Sequence, residues 1–234
     1  MYMNNYDLWL EKSKDLHKGE RCFLLGCGPS LNQVDLSYLS NEIVMGVNGT
    51  YMLEEISLTY FVTVSYYFWK SHKENLKKLN CKRRFLPDYL EELTSITPTS
   101  WLNHSHVSSE NSYKFSYEPH RKVYLGGSVI FVCLQLLLYL GFNEVIILGL
   151  DHDYGIDKKA LSKTGNMIKS DELKAHFSSN YYRKGENVHI DLAVMERVYE
   201  LSMKAFAAVG RKIYNASPGT KLATFPIRDY LSFF

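Results

Sequence analysis

The sequence predicts an α/β protein, a mostly parallel sheet flanked by helices and carrying a lid segment. Three observations predict it. Short apolar runs end again and again in Gly, Ser or Asn, as buried strands do when they run out at a sheet edge. Between them lie stretches of helical period. In the middle, an apolar helix opened by glycine and serine leads into a buried strand closed by Asp151-His152-Asp153-Tyr154. At 234 residues the chain can bury a substantial core. The expected organisation is a helical extension over 1–20 and a single domain over 21–234, with the lid at about 155–188.

Residues 4 to 17 read as an amphipathic helix through Tyr6, Trp9, Leu10 and Leu16. Arg21 to Leu25 is the first strand. It stops in Gly26-Cys27-Gly28-Pro29-Ser30, where glycines open the backbone, proline suits a first helical turn and serine can cap or donate. A short helix or turn follows to Leu39. Glu42 to Val47 and Leu58 to Val64 are two more apolar runs, ending in Asn48-Gly49-Thr50 and Ser65-Tyr66-Tyr67. Trp69 to Leu79 is a lysine-rich helix and Arg84 to Leu86 a further strand. From Pro87 to Tyr117 the period is poor, which predicts connecting structure with short strands. His104 and His106 there stand two apart, as metal ligands on a strand would, but no third ligand is nearby.

Gly126-Gly127-Ser128 opens the apolar helix Val129 to Leu140, which Gly141 closes, and Glu144 to Leu150 is the next strand. The helix is apolar on nearly all sides, hence buried, and too short to span a membrane. Ile156 to Lys184 is polar and aromatic, with glycines at 155, 165 and 185 as hinges, which predicts a lid. Leu192 to Val209 is a helix, Lys212 to Tyr214 a final strand, Asn215 to Gly219 a polar turn, and Ile227 to Phe234 an aromatic segment packed on the body.

Composition narrows the function. A net charge of +2 with interspersed signs gives no footprint for a nucleic-acid binder. The basic stretch from Lys77 to Arg84 reads as a solvated helix face, with a peripheral contact to an anionic membrane surface as the alternative. Four cysteines without C-x-x-C spacing suit a reducing cytoplasm, and the expected location is cytoplasmic or the inner face of the membrane. The first 18 residues read neither as a signal peptide nor as a membrane span.

In an open parallel sheet, ligands bind beyond the carboxyl ends of the strands. That brings Ser30, Asn48 and Ser65 to one crevice; Gly26, Cys27, Gly28 and Pro29 form the turn of Ser30, Gly127 and Ser128 a second glycine-serine helix start, and Asp151, Asp153 and Tyr154 follow a buried strand. Amides at glycine-serine helix starts favour a phosphate, so a nucleotide is the expected ligand. The two aspartates suit ribose or sugar hydroxyls, or magnesium bridged to phosphate. In or beside the lid, His176 and His189 are candidate general bases. Tyr181 and Tyr182 could stack on a sugar, and Arg183 and Lys184 could neutralise leaving-group charge.

Taken in order, the GCGPSL turn, the GVN strand end, the GGS-helix-LGFNEVIILGLDHDY block and the HF, YY and H residues of the lid resemble the bacterial sialyltransferases of glycosyltransferase family 42. They resemble equally the related motility-associated-factor and 6-hydroxymethylpterin diphosphokinase-like proteins, to which NASPGTKLATF is especially similar. The matches run from about Arg21 to Phe225. The resemblance implies a Rossmann-like nucleotide-binding domain with a mobile lid. It also implies a lid histidine as the base that activates the acceptor hydroxyl, His189 standing nearest that place and His176 matching an earlier one, and no required metal. Cys27 stands where the family turn usually carries asparagine, and Gly126-Gly127-Ser128 where it carries threonine-serine-glycine.

Two functions follow as expectations. One is glycosyl transfer from a CMP-activated, sialic-acid-like sugar, or another nucleotide sugar, to a surface-glycan acceptor. The other is ATP-dependent diphosphokinase chemistry, with Mg2+ held by Asp151 and Asp153. A nucleotide-binding module without catalysis is a third class. The sequence leaves open whether the chain forms a homo-oligomer.

Overall fold

The computed structural model describes residues 7–93, 96–106, 113–155, 167–170, 176–178 and 187–234. Its centre is a seven-stranded parallel sheet. The strands are β1 (Arg21–Leu25), β2 (Val44–Val47), β3 (Tyr60–Val62), β4 (Arg83–Pro87), β5 (Thr99–Leu102), β8 (Glu144–Leu148) and β11 (Lys212–Asn215). Their order is β11-β8-β1-β2-β3-β4-β5. Phe23 of β1 sits between Val44 of β2 and Ile146 of β8, so all three strands finish at the same height. Two small ladders lie outside this sheet. β6 (His104–His106) pairs in parallel with β7 (Val123–Leu125), and β9 (Met167–Lys169) pairs antiparallel with β10 (Asn187–His189).

The central strands are apolar without alternation because both faces are covered. Cys22 to Leu25 and Val145 to Leu148 are fully buried. α3 (Val129–Leu140) is buried from Ile130 to Leu140, packed against β2, β7 and α4 (Leu192–Ala207). Gln135 is polar inside this helix, and its amide meets the backbone of Ser116, Tyr124 and Phe131. α4 buries Met195, Val198, Tyr199, Ser202, Ala205 and Phe206, the stripe that helical spacing dictates.

Several boundaries differ from the sequence reading. The amphipathic helix expected over 4–17 is only α1 (Leu8–Lys12), with Asp7 accepting from the Leu10 amide at 2.9 Å. From Ser13 the chain turns instead, which lets His17 bury and stack on Phe142 at 4.4 Å. Trp9 still joins the extension to the body through Tyr60 and Phe85. α2 (Tyr66–Lys78) starts three residues earlier than expected because Ser65 caps it. Phe234 stacks on Phe23 at 5.5 Å, so the aromatic end packs on the body. Among the described residues, no helix is long and apolar enough to cross a membrane, and none of the four cysteines forms a disulfide.

Candidate functional site

The winding of the sheet reverses at β1, which has β2 on one side and β8 on the other. Chains leaving β1 and β8 therefore part, and a cleft opens beyond their carboxyl ends. Its walls are Gly26 to Gly28 after β1, Asn48 after β2, Gly127 and Ser128 before α3, and Gly149 to Tyr154 after β8. His176 and the stretch Val188-His189-Ile190 complete it, and Met195 and Tyr199 of α4 form the back.

The first turn is tighter than a free phosphate loop. A Cβ on Gly26 would stand 2.4 Å from the carbonyl oxygen of Gly149, and one on Gly28 would stand 2.6 Å from the carboxyl carbon of Asp151. The two loops thus touch at positions where only glycine fits. Pro29 opens a single 3-10 turn over Pro29–Gln33. The anion at that turn comes from the protein itself: the Ser30 amide donates to Asp151 Oδ2 at 2.8 Å, and the Ser30 hydroxyl donates to Oδ1. Ser30 and Pro29 therefore brace the cleft from behind rather than line it, because the carboxylate takes the place expected for phosphate. Burial pushes the Asp151 carboxyl up from its usual range, against the pull of the Ser30 bonds.

The loop after β11 holds Asp151 from the other side. Asn215 Nδ2 and the Thr220 hydroxyl donate to the Leu150 carbonyl, the Ser217 hydroxyl accepts the Leu150 amide, and the Lys221 amide donates to the Asp151 carbonyl. Lys221 Nζ lies 2.6 Å from Asp153 Oδ2, and Asp153 also accepts the Gly155 amide, which together hold its carboxyl below the ordinary value. The magnesium of the diphosphokinase alternative would need both carboxylates turned on one ion. Asp151 holds Ser30 and Asp153 holds Lys221 and Gly155, so an ion shared by the two carboxylates would compete with these bonds.

Ser128 is the N-cap of α3, accepting from the Ile130 amide at 3.2 Å and from the Tyr199 hydroxyl at 2.8 Å. Asn48 takes a left-handed backbone at φ +43°, a conformation asparagine tolerates. Cys27 donates to the Val47 carbonyl at 3.3 Å. Its own carbonyl accepts the Phe177 amide at 2.8 Å, which straps 176–178 onto the first turn. Tyr154 is half-buried at the cleft wall, and desolvation pushes its hydroxyl up to about 12.

Of the two candidate bases, His176 is the more enclosed, and burial pulls its ring down to about 4. His189 ends β10 and is exposed at the cleft mouth. Ser65 stands apart from the lining residues. Its hydroxyl accepts the Phe68 amide at 3.2 Å, so it caps α2. Tyr181, Tyr182, Arg183 and Lys184 lie outside the described residues, as does most of the expected lid. His104 pairs with Asp88 at 3.1 Å, the His106 side chain lies outside the described residues, and no group of three metal-ligating side chains occurs among the described residues.

Two participants escaped the sequence reading. His152 has a φ of +55° and a side chain only 1% exposed, and its Nε2 lies 3.1 Å from Oε1 of Glu196. Glu196 follows Met195 and is flanked by the buried Tyr199 one turn on, so helical phase alone sets it at the edge of the buried stripe.

No family model matches this chain, and no protein of curated function matches its sequence. A solved structure similar to it is the sialyltransferase CstII from Campylobacter jejuni in complex with a substrate analogue, cytidine-5'-monophosphate. The two share 15% identity over 89% of this chain and 84% of that one, with a TM-score of 0.47. At that level the likeness does not extend to function.

Proposed function

We propose that the cleft binds a nucleotide-activated sugar and transfers the sugar to a hydroxyl of a glycan acceptor. One observation carries the reading: a switch-point cleft at the carboxyl ends of β1, β2 and β8 has two histidines, His176 and His189, on its wall. Such clefts hold nucleotides across the loops after the parting strands, and an imidazole there can take a proton from an attacking hydroxyl. CMP is the nucleotide to test first, on the motif resemblance.

In this reading His189 is the general base. His176 is a weak proton acceptor at about 4, too far below neutrality for efficient base catalysis, and serves as a hydrogen-bond acceptor that orients the acceptor or donor. The acceptor hydroxyl gives its proton to His189 as its oxygen attacks the anomeric carbon. The bond from that carbon to the nucleotide oxygen breaks, and the nucleotide leaves with the electron pair, which inverts the anomeric centre. No step uses a metal. A reducing cytoplasm, suited to cysteines without disulfides, is the proposed setting.

A thermal-shift series with CMP, UDP, GDP and ATP, each with and without magnesium, tests the reading first. Stabilisation by CMP without metal supports it, and stabilisation by ATP only with magnesium sinks it. Turnover of a CMP-sugar should then survive chelator and fall at least 100-fold in His189→Ala.

A further inference from the structure

We infer that Tyr199 is a positioning residue for the cleft: by donating its hydroxyl to Ser128 it commits the Ser128 hydroxyl to donating in turn, which suits the start of α3 to a ligand phosphate. The inference deepens the nucleotide reading above and rests on it.

A serine hydroxyl has one hydrogen to give and two lone pairs to accept with. Both lone pairs of Ser128 are taken, by the Ile130 amide at 3.2 Å and by the Tyr199 hydroxyl at 2.8 Å. The proton in the second bond comes from the tyrosine. Tyr199 is 1% exposed, and among the described residues its hydroxyl bonds to Ser128 alone, so a proton pointed elsewhere would be buried without an acceptor. Burial also pushes its ionisation far up, which keeps that proton in place at any assay pH.

The Ser128 oxygen then has one tetrahedral direction left for its own hydrogen. The amide lies within α3 and the phenol on the back wall, so the remaining direction faces the cleft that Ser128 lines. The space in front is open. Gly127 is exposed, and a Cβ there would meet its nearest neighbour, Val194, at 3.8 Å. A hydroxyl held as a donor bonds a group that only accepts, and an ionised phosphate oxygen is such a group. The amides at the start of the 12-residue α3 act with the same sign. Without the phenol, a lone pair of Ser128 is freed, its hydrogen is no longer confined to one direction, and the bond to phosphate weakens.

The probes are CMP, cytidine and inorganic phosphate, titrated calorimetrically into the full chain as wild type, Tyr199→Phe, Ser128→Ala and the double variant. Phenylalanine keeps the ring that fills the back wall and removes the donor. Preference for CMP over cytidine reads the phosphate contact and cancels a general loosening of the cleft. It should fall at least about tenfold in Ser128→Ala and about threefold in Tyr199→Phe. Because Tyr199 acts through Ser128, the double variant should fall no further than Ser128→Ala alone. A preference unmoved by Tyr199→Phe overturns the inference, and so do losses that multiply in the double variant. Where cytidine is too weak to titrate, the affinity for inorganic phosphate is the readout.

If the wild type binds inorganic phosphate but neither CMP nor cytidine, the nucleotide reading falls, while the phosphate affinities of the four proteins decide the role of Tyr199 by the same cycle. A wild type that binds cytidine as tightly as CMP overturns the inference, and one that binds none of the three probes overturns both. Should Ser128→Ala fail to fold, Tyr199→Phe against wild type decides through the CMP-to-cytidine preference.

Discussion

Asp151 and Ser30, just past strands that neighbour each other in the sheet, lock their two loops together behind the cleft: the Ser30 amide reaches Asp151 Oδ2 at 2.8 Å and the hydroxyl reaches Oδ1. The carboxylate thus occupies the amide site at a glycine-proline turn and welds the loop after β1 to the loop after β8. Asp151→Ala leaves a part-buried amide and hydroxyl unsatisfied, and urea denaturation should show a loss of about 2–3 kcal/mol. Asp151→Asn keeps an acceptor for the amide and should lose less, about 1 kcal/mol. Burial raises the Asp151 pKa, so its ionisation works against folding. That contribution is favourable below the unfolded pKa near 4 and is lost as pH rises through the folded value. The gap between wild type and Asp151→Asn should therefore narrow from pH 4 to pH 7.

Gly26 and Gly28 meet different obstacles. Any Cβ on Gly26 would run into the Gly149 backbone, 2.4 Å away, and backbone cannot rotate aside. Gly26→Ala should cost about 2–3 kcal/mol. A Cβ on Gly28 meets the Asp151 carboxyl, 2.6 Å away, which can be expelled. Gly28→Ala should therefore imitate the loss of the Ser30 bonds. In a double-mutant cycle, Gly28→Ala with Asp151→Ala should destabilise by clearly less than the sum of the two.

Most of the sheet was legible because strands buried on both faces read as unbroken apolar runs: Cys22 to Leu25, Val145 to Leu148. α3 was equally plain, since Gly127-Ser128 and Gly141 mark its ends. β5 and β6 were legible only as short strands without places, because Thr99 to His106 has no sustained apolar period and their positions are set by pairing with β4 and β7. At the strand ends, the turns after β1, β2 and β8 line one cleft, but sequence could not show which polar groups bond to each other. Ser30 and Asp151 are 121 residues apart, and nothing local says that one satisfies the other. Ser65 was misplaced for a local reason: a serine after a strand serves a helix cap as readily as a ligand, and here Phe68 takes it.

Ser128 and Tyr199 offer a cleaner test of coupling across the cleft's back wall. Ser128→Ala removes the cap of α3, worth about 1 kcal/mol, and also strands the hydroxyl of Tyr199, which is buried and bonded to it at 2.8 Å. The total should reach about 2–3 kcal/mol. Adding Tyr199→Phe removes the stranded hydroxyl, so the double variant should be more stable than Ser128→Ala alone. Thermal melts of the four proteins check the ordering.

His176 separates acid stability from catalysis. Burial lowers its folded pKa to about 4 from an ordinary 6.5. The unfolded chain then binds a proton between those values while the folded chain does not, so stability rises with pH across that window and is lost as pH falls from about 6.5 towards 4. The full shift corresponds to about 3 kcal/mol. His176→Gln, which cannot titrate, should show a smaller drop in melting temperature than the wild type between pH 7 and pH 4.5. The same shift keeps His176 neutral throughout the range in which a transferase would be assayed. An acid limb near pH 6 to 7 in the pH profile of CMP-sugar turnover must then belong to another group, and His176→Gln should lower the rate without moving its midpoint. If the midpoint moves with His176→Gln and stays fixed in His189→Asn, the assignment of His189 as the base is wrong.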